Sequence, residues 1–128
     1  MNRVVLDASA LMAVINREAG AEMLTPEIMS AAAASTVNLA EVHGKLVLRG
    51  FSRDDAWAAA NGTVHEAVAF TAEQAKTAGD LVIQTRALGL SLGDRACLAL
   101  GIVLRAPVYT ADRAWKNLKL GIRIHVIR

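Results

Sequence analysis

The chain has 128 residues, of which 54% are hydrophobic, and a formal net charge of +2 at pH 7. This length favours a single domain, and a hydrophobic composition with little net charge excludes a disordered chain. Aromatic residues make up only 4% of the chain, so the core must be built from aliphatic side chains.

The first half of the chain alternates short apolar runs with patterns of helical spacing. In chain order, it predicts a strand over 3–6, a helix over 9–20, a helical segment over 21–30 that Pro26 interrupts, a strand over 31–35 and a helix over 35–50. Short apolar runs are typical of buried parallel strands, whereas Leu39, Val42 and Leu46 recur at helical spacing. The run AAAAS alone is ambiguous because Ala favours helices, and the Ser and Thr capping residues that open the next helix favour a strand.

The second half continues this alternation. In chain order, it predicts a helix over 52–67, a strand over 67–70, a helix over 72–89, a turn and then a buried helix over 95–105, a strand over 106–110, a helix over 111–121 and a strand over 122–127. Ser52 and Thr71 have the capping chemistry to begin two of these helices, and Gly89 and Gly121 end two of them. Strands that alternate with helices predict a parallel sheet covered by helices on both faces, an α/β sandwich.

The sequence predicts neither a membrane span nor a secreted protein. The longest apolar run, over 96–104, lies between Arg95 and Arg105 and is far shorter than the ~20 residues of a membrane span. Asp7 interrupts the apolar run near the start of the chain, so we predict no signal peptide there. The single cysteine, Cys97, has apolar neighbours and no partner for an internal disulfide, which predicts a buried thiol in a cytoplasmic protein.

Four of the 12 acidic residues fall where predicted strands end and helices begin. Asp7 follows the first strand, and Glu41 lies in the first turns of the helix after the second strand. Asp94 stands at the start of the buried helix, and Asp112 follows the strand over 106–110. In open α/β sheets, ligands bind beyond the carboxyl ends of the strands. The four acids are therefore candidates for one shared site.

Each acid also has a purely structural explanation. Asp7, Asp94 and Asp112 fit the role of N-caps or first-turn residues of helices. Glu41 has the spacing for an ion pair with Lys45 on an exposed face, although its helix is so apolar that it leaves little exposed face. Both interpretations stay open for single residues, while the repetition of the pattern favours a functional site.

Carboxylates gathered at one end of a sheet repel each other, and a divalent cation removes that repulsion. Asp and Glu oxygens without clustered His or Cys favour Mg²⁺ or Mn²⁺ over zinc. The histidines His43, His65 and His125 show no paired ligand spacing and are interpreted as structural. A metal clamp of this kind serves phosphoryl chemistry, because it activates water and neutralises developing charge.

Basic residues are concentrated at the end of the chain. Six of the seven charged residues from Arg105 onward are Arg or Lys, and the exception is Asp112. This bias fits either a solvated basic surface or a surface that faces a polyanion such as a nucleic acid backbone.

Four segments, in this order, resemble PIN-domain ribonucleases, specifically the VapC toxins of bacterial type II toxin–antitoxin pairs: VVLDASALMAVINREAG, STVNLAEV, LSLGDRACLALG and VYTADRAWKNL. The resemblance covers essentially the whole chain, and LSLGDRACLA and YTADRAW are its most specific parts. It implies a single PIN domain over residues 1–128, built as a three-layer α/β/α sandwich around a parallel sheet. It also implies an endoribonuclease that depends on Mg²⁺ or Mn²⁺.

The resemblance implies roles for single residues. The catalytic and metal-binding acids of the family match Asp7, Glu41, Asp94 and Asp112. Ser9 and Thr110 match small hydroxyl residues that are expected to orient ligands or contact phosphate. Arg95 and Arg113 each follow one of the acids directly and are candidates for substrate contact.

The resemblance also implies partners. VapC toxins act on RNA, are held by a VapB antitoxin and usually form homodimers, whereas DNA binding belongs to the antitoxin. We therefore expect an RNA substrate, a VapB-like antitoxin and a homodimer, with no direct DNA binding and no membrane. The apolar segments MLTPEIM and VHGKLVL are candidate dimer contacts and are equally well explained as core.

Three rival interpretations fit the sequence less well. A receiver domain has adjacent acids after the first strand, where this chain has Asp7 and Ala8, and a Lys after the last strand, which we do not find. A haloacid-dehalogenase-like phosphatase has a second Asp two residues after the first, where Ser9 stands here. A non-catalytic module on the same fold, binding RNA or an antitoxin, would not need the four acids.

Overall fold

The computed structural model describes residues 2–128 and contains a five-stranded sheet in which all neighbouring strands are parallel. The strands are β1 (Val4–Leu6), β2 (Ala32–Ser35), β3 (Glu66–Val68), β4 (Val108–Thr110) and β5 (Ile124–Val126). Their order in the sheet is β3-β2-β1-β4-β5. The chain therefore winds from β1 towards one edge and then crosses back to the other side of β1. The carboxyl ends of β1 and β4 flank this switch point, which is where open α/β sheets bind ligands.

Seven α-helices connect or cover these strands. They are α1 (Ala8–Asn16), α2 (Pro26–Met29), α3 (Thr36–Leu48), α4 (Arg53–Thr63), α5 (Ala72–Asp80), α6 (Val82–Thr85) and α7 (Leu92–Leu104) within residues 2–128. Short 3₁₀ helices occur at Ala21–Met23, Arg86–Leu88 and Arg113–Asn117. Among these described residues, no helix has the length and apolarity to cross a membrane.

The two faces of the sheet pack against separate aliphatic cores. Leu6 of β1 belongs to the first core, with side chains of α1, α3 and α4 such as Leu11 and Leu39. Val5, the neighbouring residue of β1, points to the second core, which contains Leu98 of α7 and the fully buried Trp115. Alternate residues of a strand face opposite sides of a sheet. The result is the predicted three-layer α/β/α sandwich, which is confirmed.

The central strands are buried because helices cover both of their faces. All residues of β1 and β2 are buried, and β2 consists of three alanines and a serine. Small side chains let the helices approach the sheet closely, so tertiary packing overrides the helical preference of alanine. The strand predicted over 31–35 is thus confirmed as Ala32–Ser35.

Two predicted helices are wrong in extent. The segment 72–89 is not one helix: α5 ends at Asp80, and α6 and a 3₁₀ turn follow. The break lies at Leu81, and the weak helix formers around it, Gly79 and the β-branched Val82 and Ile83, favour a short α6 over a continuous helix. The helix predicted over 111–121 is only the 3₁₀ helix Arg113–Asn117, because the chain becomes extended at Leu118 on its way to β5.

The remaining boundaries differ by a few residues. The helix predicted over 52–67 ends at Thr63, where Val64 turns extended, and the strand predicted over 67–70 lies at Glu66–Val68. The buried helix predicted over 95–105 begins earlier, at Leu92, because Ser91 caps it. Asp94 is therefore inside the first turn of α7.

Candidate active site

Asp7 lies at the carboxyl end of β1 and is only 3% exposed. Its carboxylate caps α1 by accepting a hydrogen bond from the backbone N–H of Ala10 at 2.8 Å. The hydroxyl of Ser9 lies 2.7 and 2.9 Å from its two oxygens, and the hydroxyl of Thr110 donates to Oδ2 at 2.6 Å. The cap predicted at this position is confirmed, and three donors satisfy a carboxylate that has almost no access to solvent.

Ser9 and Thr110 connect the ends of β1 and β4. Their hydroxyl oxygens lie 3.3 Å apart. The Ser9 oxygen accepts from the N–H of Ala111 at 2.9 Å, and the Thr110 oxygen accepts from the N–H of Asp112 at 3.0 Å. Each hydroxyl can donate to Asp7 and accept from the β4 loop, so this network holds the backbone of Asp112 beside Asp7.

Asp112 is exposed and caps the 3₁₀ helix that follows β4. Its Oδ1 accepts from the N–H of Ala114 at 2.9 Å, while its Oδ2 receives no hydrogen bond from residues 2–128. It borders an open pocket of about 630 Å³ that is also lined by Ser9, Arg113 and Arg128. One oxygen of Asp112 is therefore available to a ligand at this pocket.

Glu41 is half-buried on α3 and is held by a buried asparagine. Nδ2 of Asn38 donates to Oε1 of Glu41 at 2.8 Å and to the carbonyl of Gly93 at 3.0 Å. A Cβ on Gly93 would collide with the carboxylate, 2.6 Å from its Cδ, so the Glu41 carboxylate can lie against the start of α7 only because residue 93 is glycine. The predicted alternative, an ion pair with Lys45, does not occur in the structure.

Asp94 completes a capping box at the start of α7. The Ser91 hydroxyl accepts from the N–H of Asp94 at 3.1 Å, and Oδ2 of Asp94 accepts from the N–H of Ser91 at 3.0 Å. This reciprocal arrangement satisfies two backbone donors at the helix end. Oδ1 of Asp94 makes no hydrogen bond to residues 2–128 and remains available.

The charges of three acids act on the same interior region. Burial raises the pKa of Asp7 from 3.8 to about 6, its hydrogen bonds oppose that shift, and the charge of Asp94 adds to it. Burial also raises the pKa of the Cys97 thiol, and the charges of Asp7, Asp94 and Glu41 raise it further. Glu41 lies against Gly93, the residue before Asp94, so these two acids lie together at the first turn of α7. The Thr110 hydroxyl joins Asp7 to the backbone of Asp112. Cys97 itself is buried, as predicted.

Comparison with known proteins identifies the family. A family model of the PIN domain matches residues 4–120. The chain belongs to the PIN domain family. PIN domains are generally nucleases. No curated protein matches the sequence of this PIN domain.

Solved toxin–antitoxin complexes share the fold of this PIN domain. DNA-bound VapBC from Salmonella typhimurium matches with a TM-score of 0.76 and 16% identity over 100% of both chains. VapBC2 from Rickettsia felis, bound to a DNA fragment from their promoter, matches with a TM-score of 0.73 and 16% identity over 98% of each chain. VapBC-5 from Mycobacterium tuberculosis matches with a TM-score of 0.61 and 22% identity, over 100% of this chain and 99% of the other. At these identities, the matches establish the fold.

The donor atoms of the PIN domain site fit a hard divalent cation by their chemistry. Glu41, Asp94 and Asp112 each keep one carboxylate oxygen without a hydrogen bond from residues 2–128, and the Oδ1 of Asn38 is buried without any partner there. Oxygen donors without imidazole or thiolate suit Mg²⁺ and Mn²⁺. Within the same described residues, no three acidic, His or Cys side chains already stand together as a metal-binding group, so a cation would have to draw the carboxylates closer.

The two predicted arginines have different surroundings. Arg95 is half-buried, and its Nη1 donates to the carbonyl of Ala78 at 2.9 Å, which ties α7 to α5. Arg113 is exposed at the pocket beside Asp112, and its Nε donates to the carbonyl of Arg128 at 3.0 Å. Only Arg113 therefore borders the pocket next to the acids.

Sequence reasoning did not single out Asn38, Ser91 and Gly93, which shape the site. Asn38 stands one helical turn before Glu41, and a polar residue between apolar ones in α3 was the available signal. Ser91 has the serine-x-x-acid spacing of a capping box with Asp94. The close approach of Gly93 to Glu41 is a tertiary contact that no local pattern indicates.

Proposed function

We propose that this PIN domain is a VapC-type toxin, a metal-dependent endoribonuclease that a VapB-like antitoxin holds inactive. The observation that carries the proposal is the placement of the four acids in two pairs, Glu41 with Asp94 at the start of α7 and Asp7 with Asp112 through Thr110. A PIN domain that retains four acids at the carboxyl edge of its sheet has the groups that phosphodiester hydrolysis requires.

In this proposal, Asp7, Glu41, Asp94 and Asp112 are the catalytic residues and hold Mg²⁺ or Mn²⁺. The bound cation supplies positive charge that activates water and stabilises the charge developing on the phosphate and the leaving oxygen. The uncommitted oxygens of Glu41, Asp94 and Asp112 face no competing donor from residues 2–128. These three acids can therefore offer an oxygen to a cation without first breaking the hydrogen bonds that hold them, whereas both oxygens of Asp7 already accept hydrogen bonds.

Ser9 and Thr110 are positioning residues in this mechanism. Their hydroxyls hold both oxygens of Asp7 and accept from the backbone of the β4 loop. They fix the orientation of the buried carboxylate and its distance from Asp112, because each bridges β1 and β4. Arg113, exposed beside Asp112, would contact the phosphate backbone of the RNA substrate.

The proposed partners follow from the structural neighbours. These neighbours are toxin–antitoxin complexes, and two of them bind DNA as VapBC complexes. We propose a VapB-like antitoxin for this chain, with any DNA binding assigned to the antitoxin. We also propose that the chain forms a homodimer, that it is cytoplasmic, and that residues 1–128 form one domain.

Incubating the purified chain with total RNA tests the nuclease proposal. We expect cleavage with Mg²⁺ or Mn²⁺ and none with EDTA, and we expect Asp7→Asn to reduce the rate by at least about 100-fold. Asp54→Asn is a matched control, because Asp54 is an exposed first-turn acid of α4, outside the site. Cleavage that persists in EDTA or in Asp7→Asn would contradict the metal mechanism. Metal-independent RNA binding without cleavage would favour the non-catalytic module.

The antitoxin proposal has a separate test. The product of a small reading frame that adjoins the gene should co-purify with the chain and suppress its cleavage of RNA. Absence of such a product would remove the toxin assignment and leave the nuclease assignment standing.

A further inference from the structure

A second pocket adjoins the one beside Asp112. It has a volume of about 550 Å³, lies against β4 and β5, and shares Arg113 and Arg128 with the first pocket. A linear ligand that passes the acids can therefore continue into this second pocket without leaving the surface.

The second pocket contains a stacked pair of aromatic rings. Tyr109 of β4 and His125 of β5 are opposite each other in the parallel register. Their ring centroids are 4.6 Å apart and their planes differ by 21°. Tyr109 is half-buried against the first core, whereas His125 is exposed on an edge strand. The exposed His125 lines the pocket, so its ring is accessible to a ligand there.

Neither ring is engaged in other polar contacts. Within residues 2–128, the Tyr109 hydroxyl and the His125 ring nitrogens make no hydrogen bond. Each therefore keeps its hydrogen-bonding capacity for a ligand. Apolar side chains, including those of Met23, Ile28 and Ile124, line the pocket beside the rings.

The charge of the second pocket is positive. Arg113, Lys116 and Arg128 line it, and no acidic side chain among the described residues does. Arg128 is paired with Glu18 at 3.1 Å, and Arg113 donates through Nε to the main-chain oxygen of Arg128 at 3.0 Å. Within residues 2–128, neither Arg113 nor Lys116 is paired with an acidic side chain. Basic side chains beside an exposed aromatic ring match a ligand that carries both phosphate groups and flat rings.

We propose that the second pocket binds a nucleobase of single-stranded RNA, which stacks on His125 while Arg113 and Lys116 hold the adjoining phosphates. The proposal rests on the proposed function for the identity of the ligand and extends it by a positioning site outside the four acids. Single-stranded RNA is favoured over a protein segment because the exposed ring and the basic side chains complement bases and phosphates together. Double-stranded RNA hides its bases and could not stack in this way.

Binding of a short, fluorescein-labelled single-stranded RNA of mixed sequence, measured by anisotropy in EDTA, tests this site. We expect His125→Ala to weaken binding about tenfold, which is the loss of one base–aromatic stack, and His125→Phe to restore it to within about twofold. His65→Ala is the matched control, because His65 is an exposed histidine beside the opposite edge strand. Lys116→Gln should weaken binding by several-fold, whereas Lys119→Gln, outside the pocket, should not.

Several results would overturn the proposal. These are unchanged affinity in His125→Ala, affinity in His125→Phe no better than in His125→Ala, equal effects of Lys116→Gln and Lys119→Gln, or equal affinity for a double-stranded probe. A protein partner that covers His125 while RNA affinity is insensitive to His125→Ala would assign the pocket to that partner instead. Thermal melts of each variant identify a general loss of folding.

The test separates this site from the proposed function. If RNA binding depends on His125 but the chain never cleaves RNA, the nuclease proposal is wrong and the proposal for the second pocket stands. If cleavage is metal-dependent but His125→Ala does not change the affinity for RNA, the nuclease proposal stands and the proposal for the second pocket is wrong.

Discussion

The burial of Asp7 conflicts with its proposed role as a metal ligand. It is buried at the end of β1, where burial disfavours its charged form, yet a metal ligand needs that form. Hydrogen bonds from Thr110, Ala10 and Ser9 offset only part of the burial effect, since its pKa stays raised at about 6. The metal-free protein therefore holds a carboxyl group that takes up a proton just below neutral pH.

This shift predicts a pH-dependent stability of the metal-free protein. The folded state binds the Asp7 proton more tightly than the unfolded state, whose pKa is near 3.8. The resulting stabilisation is fully present below about pH 3.8 and is lost as the pH rises through about 6. At most, the loss is roughly 3 kcal/mol in the free energy of unfolding, the shift multiplied by 1.36 kcal/mol per pKa unit.

Urea unfolding in EDTA between about pH 4 and pH 7 measures this effect. We expect Asp7→Asn, which cannot ionise, to gain stability relative to the unsubstituted chain as the pH rises. The difference between the two proteins isolates Asp7 from the other acids, whose titration is common to both. A difference that is constant with pH, or that changes in the opposite direction, would contradict the raised pKa.

At the residue scale, the acids that follow strands could be predicted from the sequence better than the residues that position Glu41. Asp7 and Asp112 follow strands directly, and strand ends in a parallel sheet meet at one edge, so their proximity could be predicted. The roles of Asn38 and Gly93 could not, because both depend on the distance between α3 and α7. That distance is decided by packing across 55 residues of sequence rather than by any local pattern.

At the element scale, three of the four acids also begin helices. Asp7 caps α1, Asp94 completes the capping box of α7, and Asp112 caps the 3₁₀ helix after β4. The structural and functional explanations of these residues are therefore compatible. Variants that probe function should keep a capping side chain, since Asn caps as well as Asp whereas Ala costs about 0.5–2 kcal/mol.

The close approach of α7 to α3 predicts the effect of Gly93→Ala. The new methyl group would meet the Glu41 carboxylate, which lies at the end of a flexible side chain and can be displaced without moving either helix. We expect metal-dependent RNA cleavage to fall on the order of 100-fold, because small displacements of catalytic groups have effects of that size. The melting temperature should change little.

Gly44→Ala is the matched control for this substitution. Gly44 lies one turn after Glu41 on the same helix, and a Cβ there has no heavy atom within 4 Å. This exchange should stabilise α3 by about 0.5–1 kcal/mol and leave cleavage intact. Full activity in Gly93→Ala, or equal loss in both variants, would show that the position of Glu41 is not critical.

Element order was easier to predict than element length. All five strands were predicted at the correct places along the chain, because apolar runs alternate with helical patterns throughout it. The segment after Asp112 was predicted as a helix because its composition is helical, but burial of Trp115 and the path to β5 limit it to Arg113–Asn117. Tertiary constraints on short connections override local propensity there.

At the scale of the whole molecule, charge is distributed unevenly along the chain. Residues 105–128 carry six basic residues and one acid, whereas the first 104 residues carry eight basic residues and 11 acids. Residues 105–128 therefore have a net charge of +5, although the whole chain has only +2. Arg113 and Arg128 from this segment line both pockets.

This asymmetry predicts a strong salt dependence of RNA binding. If Arg113 and Lys116 contact phosphates, two contacts give a slope of log affinity against log salt of roughly −1.4 for a single strand. Affinity should then fall about sevenfold between roughly 50 and 200 mM salt. Anisotropy titrations in EDTA measure the slope, and Lys116→Gln should reduce its magnitude. A slope near zero would exclude phosphate contacts at the basic end.

The hydrogen bond from Thr110 to Asp7 joins residues 103 positions apart, and β1 pairs with β4 across the same interval. During translation, Asp7 is made 103 residues before Thr110, its hydroxyl donor on β4. The part of the sheet formed by β1, β2 and β3 can form as the chain grows, but β4 can join β1 only after residues 108–110 have been made. For a nuclease of the kind proposed, the growing polypeptide is therefore inactive towards the messenger and ribosome that are producing it. The order of the strands itself keeps the proposed active site incomplete until β4 has been synthesised.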